Sequence, residues 1–116
     1  MSEAVASFTV SFELPDGTVH TVPVGYDEYV LAAARRAGLQ LPSRCEVGWD
    51  LACAVRVLVG HLDHSDALRY YCADQAAGFA LICRAKPRSN LRLVTHQAVA
   101  MRDHRIAHRL PAPRGQ

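Results

Sequence analysis

The chain has 116 residues, half of them apolar, and a formal net charge of +2. This length favours a single domain that can bury a hydrophobic core of its own. The N-terminus lacks the basic patch and apolar run of a signal peptide, and no apolar stretch reaches the length of a transmembrane helix, so we expect a cytoplasmic protein without membrane contact.

The first part of the chain predicts a β-hairpin followed by a helix. Residues 7–14 alternate apolar and polar side chains, as is typical of a half-buried strand. Pro15-Asp16-Gly17 is a turn signal, and residues 18–24 are expected to form the second strand of the hairpin. Asp27 suits the N-cap of a helix over residues 29–37.

The second part predicts further strands and short helices after a long loop. The expected segments are a loop at 39–53, a strand at 54–59, an irregular stretch at 61–71, a short helix at 73–77, an apolar run at 79–85, a last strand at 91–95 and a helix at 97–109. A hairpin, a helix and then later strands indicate a mixed α+β domain, with the helix packed on one face of the sheet.

Charge is distributed unevenly along the chain. Residues 1–83 hold five Arg against ten acidic side chains, which gives −5, whereas residues 84–116 hold eight Lys and Arg against Asp103, which gives +7. This pattern predicts an acidic body and a basic tail. The tail is either a solvated end or a docking element for an acidic partner; nucleic acid is the weaker interpretation, because the tail lacks interleaved aromatic residues.

The cysteines carry the most specific signal. Four cysteines in a chain without a signal peptide favour metal binding or burial over a disulfide framework. The loop reads Cys45-x4-Asp50-x2-Cys53, and 29 residues separate Cys53 from Cys83. Plant-type 2Fe–2S ferredoxins use Cys-x4-Cys-x2-Cys and a distant fourth cysteine. The spacing is therefore kept, with aspartate at the second position.

Residues 6–96 resemble the plant-type 2Fe–2S ferredoxin family in further features. These are Leu41-Pro42 before the first cysteine, Gly48 inside the loop, Gly78-Phe79-Ala80-Leu81-Ile82-Cys83, Ala85-Lys86-Pro87 and Thr95-His96. The resemblance implies a β-grasp ferredoxin fold over residues 1–96, followed by a basic C-terminal extension at 97–116. It also implies a 2Fe–2S cluster bound by Cys45, Asp50, Cys53 and Cys83.

Asp50 leaves three interpretations open. In the first, its carboxylate binds iron as a harder, less covalent ligand than thiolate. In the second, it is a bystander, and water or Cys72 completes the iron. In the third, the protein has lost its cluster and retains only the scaffold.

The other potential ligands carry weaker signals. Cys72 lies outside the motif and is expected to be a buried thiol. The histidines show no metal-binding spacing except His104 and His108, four residues apart, which more often mark a solvated or docking face. His61 and His64 are expected to be surface loop residues.

The function implied by the resemblance is one-electron transfer. The protein would be a monomer that takes an electron from a flavin reductase and passes it to an oxygenase-type acceptor, a cytochrome P450 or a non-haem iron enzyme. A clusterless β-grasp interaction module, or a redox or oxygen sensor with a labile Asp-ligated cluster, is the alternative. We expect no enzymatic activity, because the sequence contains no phosphate loop, activated nucleophile or carboxylate pair.

Overall fold

The computed structural model describes residues 7–42, 51–67 and 69–112. The elements within these ranges are β1 (Ser7–Glu13), β2 (Val19–Gly25), α1 (Val30–Arg36), β3 (Ala54–Val59), β4 (Leu62–Asp63), α2 (Cys72–Ala76), β5 (Phe79–Leu81), a 3-10 turn (Ile82–Arg84), β6 (Lys86–Pro87), β7 (Leu91–Val94) and α3 (Ala98–Ala107). None of the helices in this part of the chain is long and apolar enough to cross a membrane.

Five strands form one mixed sheet in the order β2-β1-β7-β3-β5. The β1–β2 hairpin is antiparallel, β7 runs parallel to β1, and β3 is antiparallel to both β7 and β5. Strands β4 and β6 form a separate two-stranded ribbon. The mixed sheet with its helices confirms the predicted α+β class and agrees with the predicted β-grasp fold.

The core follows from the alternating pattern of the strands. Val10 and Phe12 of β1 are fully buried, while the intervening Ser11 lies on the other, more exposed face. Helix α1 buries Val30 and Leu31 against the core. The backbone N–H of Val30 donates to the carbonyl of Ala85 at 2.9 Å, which fixes the start of α1 beside the 3-10 turn.

The helix boundaries differ in detail from the prediction. The N-cap of α1 is Tyr29, without a side-chain capping bond, and not Asp27. The Asp27 carboxylate instead accepts a hydrogen bond from Lys86 Nζ at 2.8 Å. A lysine 59 residues away therefore pairs with the carboxylate that the local sequence pattern predicts as the helix N-cap.

Four of the eight basic residues after position 83 form ion pairs with acidic residues of the first part of the chain. The pairs join Lys86 to Asp27 and Asp66, Arg88 to Asp63, Arg92 to Glu13, and Arg105 to Asp74. The acidic and basic segments of the sequence therefore meet in space at these pairs, whereas a basic extension at 97–116 stays a prediction. The surface pairs contribute little to stability individually, since water and salt screen them.

The pair between Arg105 and Asp74 is different, because both side chains are fully buried. Arg105 Nε lies 3.1 Å from both Asp74 carboxylate oxygens. Its two terminal nitrogens donate to the carbonyl oxygens of Pro111 and Arg69 at 3.0 and 2.8 Å. Together with the buried Met101, this network fastens α3 to the body of the domain.

We predict that Arg105→Met lowers the free energy of unfolding by about 3 to 5 kcal/mol, because it leaves Asp74 buried without its cation. The measurement is chemical denaturation followed by circular dichroism under anaerobic conditions. Arg109→Met, at an exposed position in the turn after α3, is the matched control and should change stability by less than about 0.5 kcal/mol. Equal denaturation midpoints for the two variants would contradict this role of the pair.

Candidate metal centre

Two of the four predicted ligands lie at the same end of a strand pair. Strand β3 begins directly after Cys53, and β5 ends two residues before Cys83. Ala54 stands opposite Leu81 in the antiparallel register, so both cysteines follow from one end of this ladder. Cys53 is 4% exposed and Cys83 is 6% exposed. The structure therefore brings two buried thiols to one edge of the sheet.

The other two predicted ligands, Cys45 and Asp50, lie outside the described residues, as do Gly48 and the rest of segment 43–50. A buried leucine lies close to each end of this segment. Leu41 precedes it at 9% exposure, and Leu51 follows it at 1%. The carbonyl of Leu51 accepts a hydrogen bond from the Ala54 N–H at 3.0 Å, which forms the turn that carries Cys53 into β3.

The C-terminal part of the chain is also attached at this end of the sheet. The backbone N–H of Gln97 donates to the carbonyl of Ala54 at 3.0 Å, one residue after Cys53. Helix α3 begins directly afterwards at Ala98. Its position is therefore fixed at one end beside Cys53 and at the other by Arg105.

The outer edge of β5 is covered by two side chains from the segment that precedes α2. His64 Nε2 accepts a hydrogen bond from the Leu81 N–H at 3.1 Å, and the Tyr70 hydroxyl donates to the Phe79 carbonyl. The two rings stack with centroids 3.5 Å apart and planes 10° apart. Burial lowers the pKa of His64 to about 4. His64 lies in a loop as predicted but is half-buried by these contacts, whereas His61 is exposed as expected.

Cys72 is exposed, so the prediction of a buried thiol is wrong. As the first residue of α2, it lines a groove of about 490 Å³ together with Tyr70, Gln75 and Phe79. Neither Cys53 nor Cys83 lines this groove. Among the described residues, Cys72 does not form a group with Cys53 and Cys83 that could hold a metal ion, which disfavours it as a replacement ligand.

The paired histidines of α3 are used in packing. The rings of His104 and His108 lie 4.4 Å apart, and His104 also contacts the Phe79 ring. His104 Nε2 lies 3.0 Å from the Asp74 carboxylate. Among the described residues, no group of three or more His, Cys, Asp or Glu side chains is arranged to hold a metal ion. A cluster would therefore need ligands from outside the described residues.

The residues present fit an iron–sulfur cluster. Thiolates are the usual ligands of 2Fe–2S clusters, and the hydrophobic shell around a metal site controls access of solvent. Cys53 and Cys83 supply two buried thiols on a rigid strand pair, at the point where the segment with Cys45 and Asp50 enters the fold.

The region that contains Cys53 and Cys83 is similar in sequence to known proteins. The family model of the 2Fe-2S iron-sulfur cluster binding domain matches residues 14–88. Ferredoxin-2 of Synechococcus sp. is 37% identical over 81 residues, which cover 70% of this chain and 77% of the relative. The propane 2-monooxygenase reductase component of Rhodococcus jostii is 38% identical over 69 residues, which cover 58% of this chain but 19% of that protein.

Solved structures agree with these similarities. Pectocin M2 superposes with a TM-score of 0.70 and 25% identity over 79% of this chain and 33% of its own. The Amycolatopsis cytochrome P450 reductase GcoB superposes with a TM-score of 0.67 and 27% identity over 77% of this chain and 26% of its own. The chain therefore spans about a quarter to a third of these larger proteins.

Proposed function

We propose that this chain, which belongs to the family of 2Fe-2S iron–sulfur cluster binding domains, holds its cluster with Cys45, Asp50, Cys53 and Cys83. The protein is a 2Fe–2S electron carrier, and the cluster is its cofactor. The observation that carries the ligand assignment is the burial of Cys53 and Cys83 at one end of the β3–β5 ladder. The retained spacing around Asp50 supports the remaining two ligands.

The four proposed ligands differ in chemical character. When bound, the cluster accepts and releases one electron, and the protein sets the potential through its ligands, hydrogen bonds and solvent access. Three thiolates are soft, polarisable ligands, whereas the Asp50 carboxylate is hard and favours ferric over ferrous iron. A carboxylate can also take up a proton, and its pKa lies in a lower pH range than that of a thiol.

We predict that Cys53→Ala and Cys83→Ala each abolish cluster assembly, because each removes a thiolate and leaves an iron under-coordinated. The measurement is iron and sulfide content together with visible absorption after anaerobic purification. Cys72→Ala is the matched control and should retain about two irons and two sulfides per chain. Equal cluster occupancy in all three variants would overturn the assignment.

We predict that Asp50→Cys raises the reduction potential at neutral pH and removes its dependence on pH. Protonation of the carboxylate on reduction would couple the electron to a proton, so the potential of the unchanged protein should rise as the pH falls. Protein-film voltammetry from pH 5 to 9 measures both effects. A pH-independent potential for the Asp form that is higher than that of the Cys form would show that the carboxylate does not bind the reducible iron.

The proposed partners are a flavin reductase as electron donor and an oxygenase-type acceptor, either a cytochrome P450 or a non-haem iron enzyme. The similarity to segments of a monooxygenase reductase component and of a cytochrome P450 reductase supports this class of partner. We expect a cytoplasmic monomer with no catalytic activity of its own. Reconstitution with a purified reductase and each class of acceptor tests the proposal, and failure to shuttle electrons to either acceptor would refute it.

The division into a ferredoxin-type domain at 1–96 and a C-terminal extension at 97–116 remains a prediction. Met101 and Arg105 of the extension are fully buried in the body. Deletion of the extension would therefore open the core and leave Asp74 unpaired. Substitution of the exposed Arg109 is the better test of a docking role, because it leaves this packing intact.

A further inference from the structure

Strand β5 is an edge strand, and it leads directly to a proposed cluster ligand. Strand β3 pairs with one edge of β5, and in the described part of the chain no strand pairs with its other edge. An edge strand presents N–H and C=O groups that need partners when they are buried. Phe79, Ala80 and Leu81 are all buried, so the outer edge of β5 must be satisfied within the protein.

Two stacked rings take the place of a neighbouring strand. His64 accepts from the Leu81 N–H, and Tyr70 donates to the Phe79 C=O, so together they supply one acceptor and one donor, as a paired strand would. The parallel stack holds the two rings in one fixed arrangement. The hydrogen bond to Leu81 requires an unprotonated Nε2, so the imidazole must be neutral when the edge is closed.

The link from this edge to Cys83 is short and rigid. Leu81 is fully buried, and so is Ile82, the only residue between Leu81 and Cys83. The 3-10 turn that begins at Ile82 contains Cys83 and packs against α1. Displacement of the Leu81 backbone would therefore shift the thiol, because no flexible residue separates the two.

We propose that His64 is a positioning residue for Cys83, whose neutral imidazole holds the end of β5 closed and whose protonation opens this edge and releases the cluster. The proposal rests on Cys83 being a cluster ligand, as argued above. Two carboxylates face His64, and each is paired with an arginine: Asp63 with Arg88 and Asp74 with Arg105. The other titratable groups in its groove are Tyr70, His61 and Cys72.

The direction of the pH effect follows from the burial of the ring. The pKa of His64 lies near 4 when the edge is closed and returns to about 6.5 when the ring is released into water. The open form therefore binds more protons between these values, and opening becomes about tenfold easier per pH unit below about 6. Stabilisation of the closed edge is complete above pH 6.5 and is lost as the pH falls towards 4.

The experiment compares cluster loss in two His64 variants of the cluster-loaded protein. His64→Gln retains a carbonyl acceptor that does not titrate, whereas His64→Phe retains a flat ring without an acceptor. His61→Gln, at an exposed position in the same groove, is the matched control. Bleaching of the visible absorption with a chelator present, under anaerobic conditions from pH 8 to 5, gives the rates, and hydrogen exchange at the Leu81 amide reports opening of the edge.

We expect His64→Phe to lose its cluster about tenfold faster than the unchanged protein at pH 7, since a buried N–H loses its acceptor. We expect the rate of cluster loss in the unchanged protein, divided by the rate in His64→Gln, to rise as the pH falls. The same rate divided by that of His61→Gln should stay constant. Acid lability of the cluster itself is common to all forms and cancels in these ratios.

Two results would overturn the proposal. One is an unchanged rate of cluster loss in both His64 variants at pH 7, and the other is an identical pH profile for the unchanged protein and His64→Gln. Failure of the proposed ligand assignment would look different, because Cys83→Ala would then retain its cluster whatever the His64 variants do, and failure of the proposed function would leave the unchanged protein without a cluster. If His64→Phe does not fold, the pH profile of His64→Gln decides the question alone.

Discussion

The buried ion pair between Asp74 and Arg105 fixes the part of the structure on which the candidate site depends. Asp74 lies on α2, the helix that leads into β5 and on to Cys83, and Arg105 lies on α3. The segment before α3 is bonded to Ala54, beside Cys53. Since a buried charge without its partner is costly, the pair holds both helices to one arrangement. The ion pair thus connects the chain segment that leads to Cys83 with the segment that is hydrogen-bonded beside Cys53.

Charged residues that are separated along the sequence lie close together in the folded protein. Reading the chain by segments gives an acidic first part and a basic last part, which suggests electrostatic recognition of a partner. The fold places Lys86, Arg88 and Arg92 beside acidic residues of the first part, so these opposite charges neutralise one another within the protein. Among the described residues, Arg109 is exposed and takes no part in these pairs, so its substitution tests a role of basic charge in partner recognition.

The elements with a strong local pattern could be predicted from the sequence. The alternation in β1 and the apolar run of β3 gave strands close to their observed bounds, and the cysteine spacing identified the class of site. The two-residue strands β4 and β6 have no period to detect, and they exist because they pair with each other. The burial of Arg105 and the role of His64 depend on contacts across 31 and 17 residues, which no local pattern contains.

The two described thiols are supported by different means, and the difference determines which one is more easily lost. Cys53 leads into β3, which lies between two strands and is held by backbone hydrogen bonds to both. Cys83 follows β5, whose outer edge depends on the side chains of His64 and Tyr70. Backbone ladders do not titrate in the physiological range, whereas an imidazole acceptor does. If both cysteines bind the cluster, its retention is therefore limited by the Cys83 side, and the proton concentration acts on the site through a strand edge and not only through the ligands themselves.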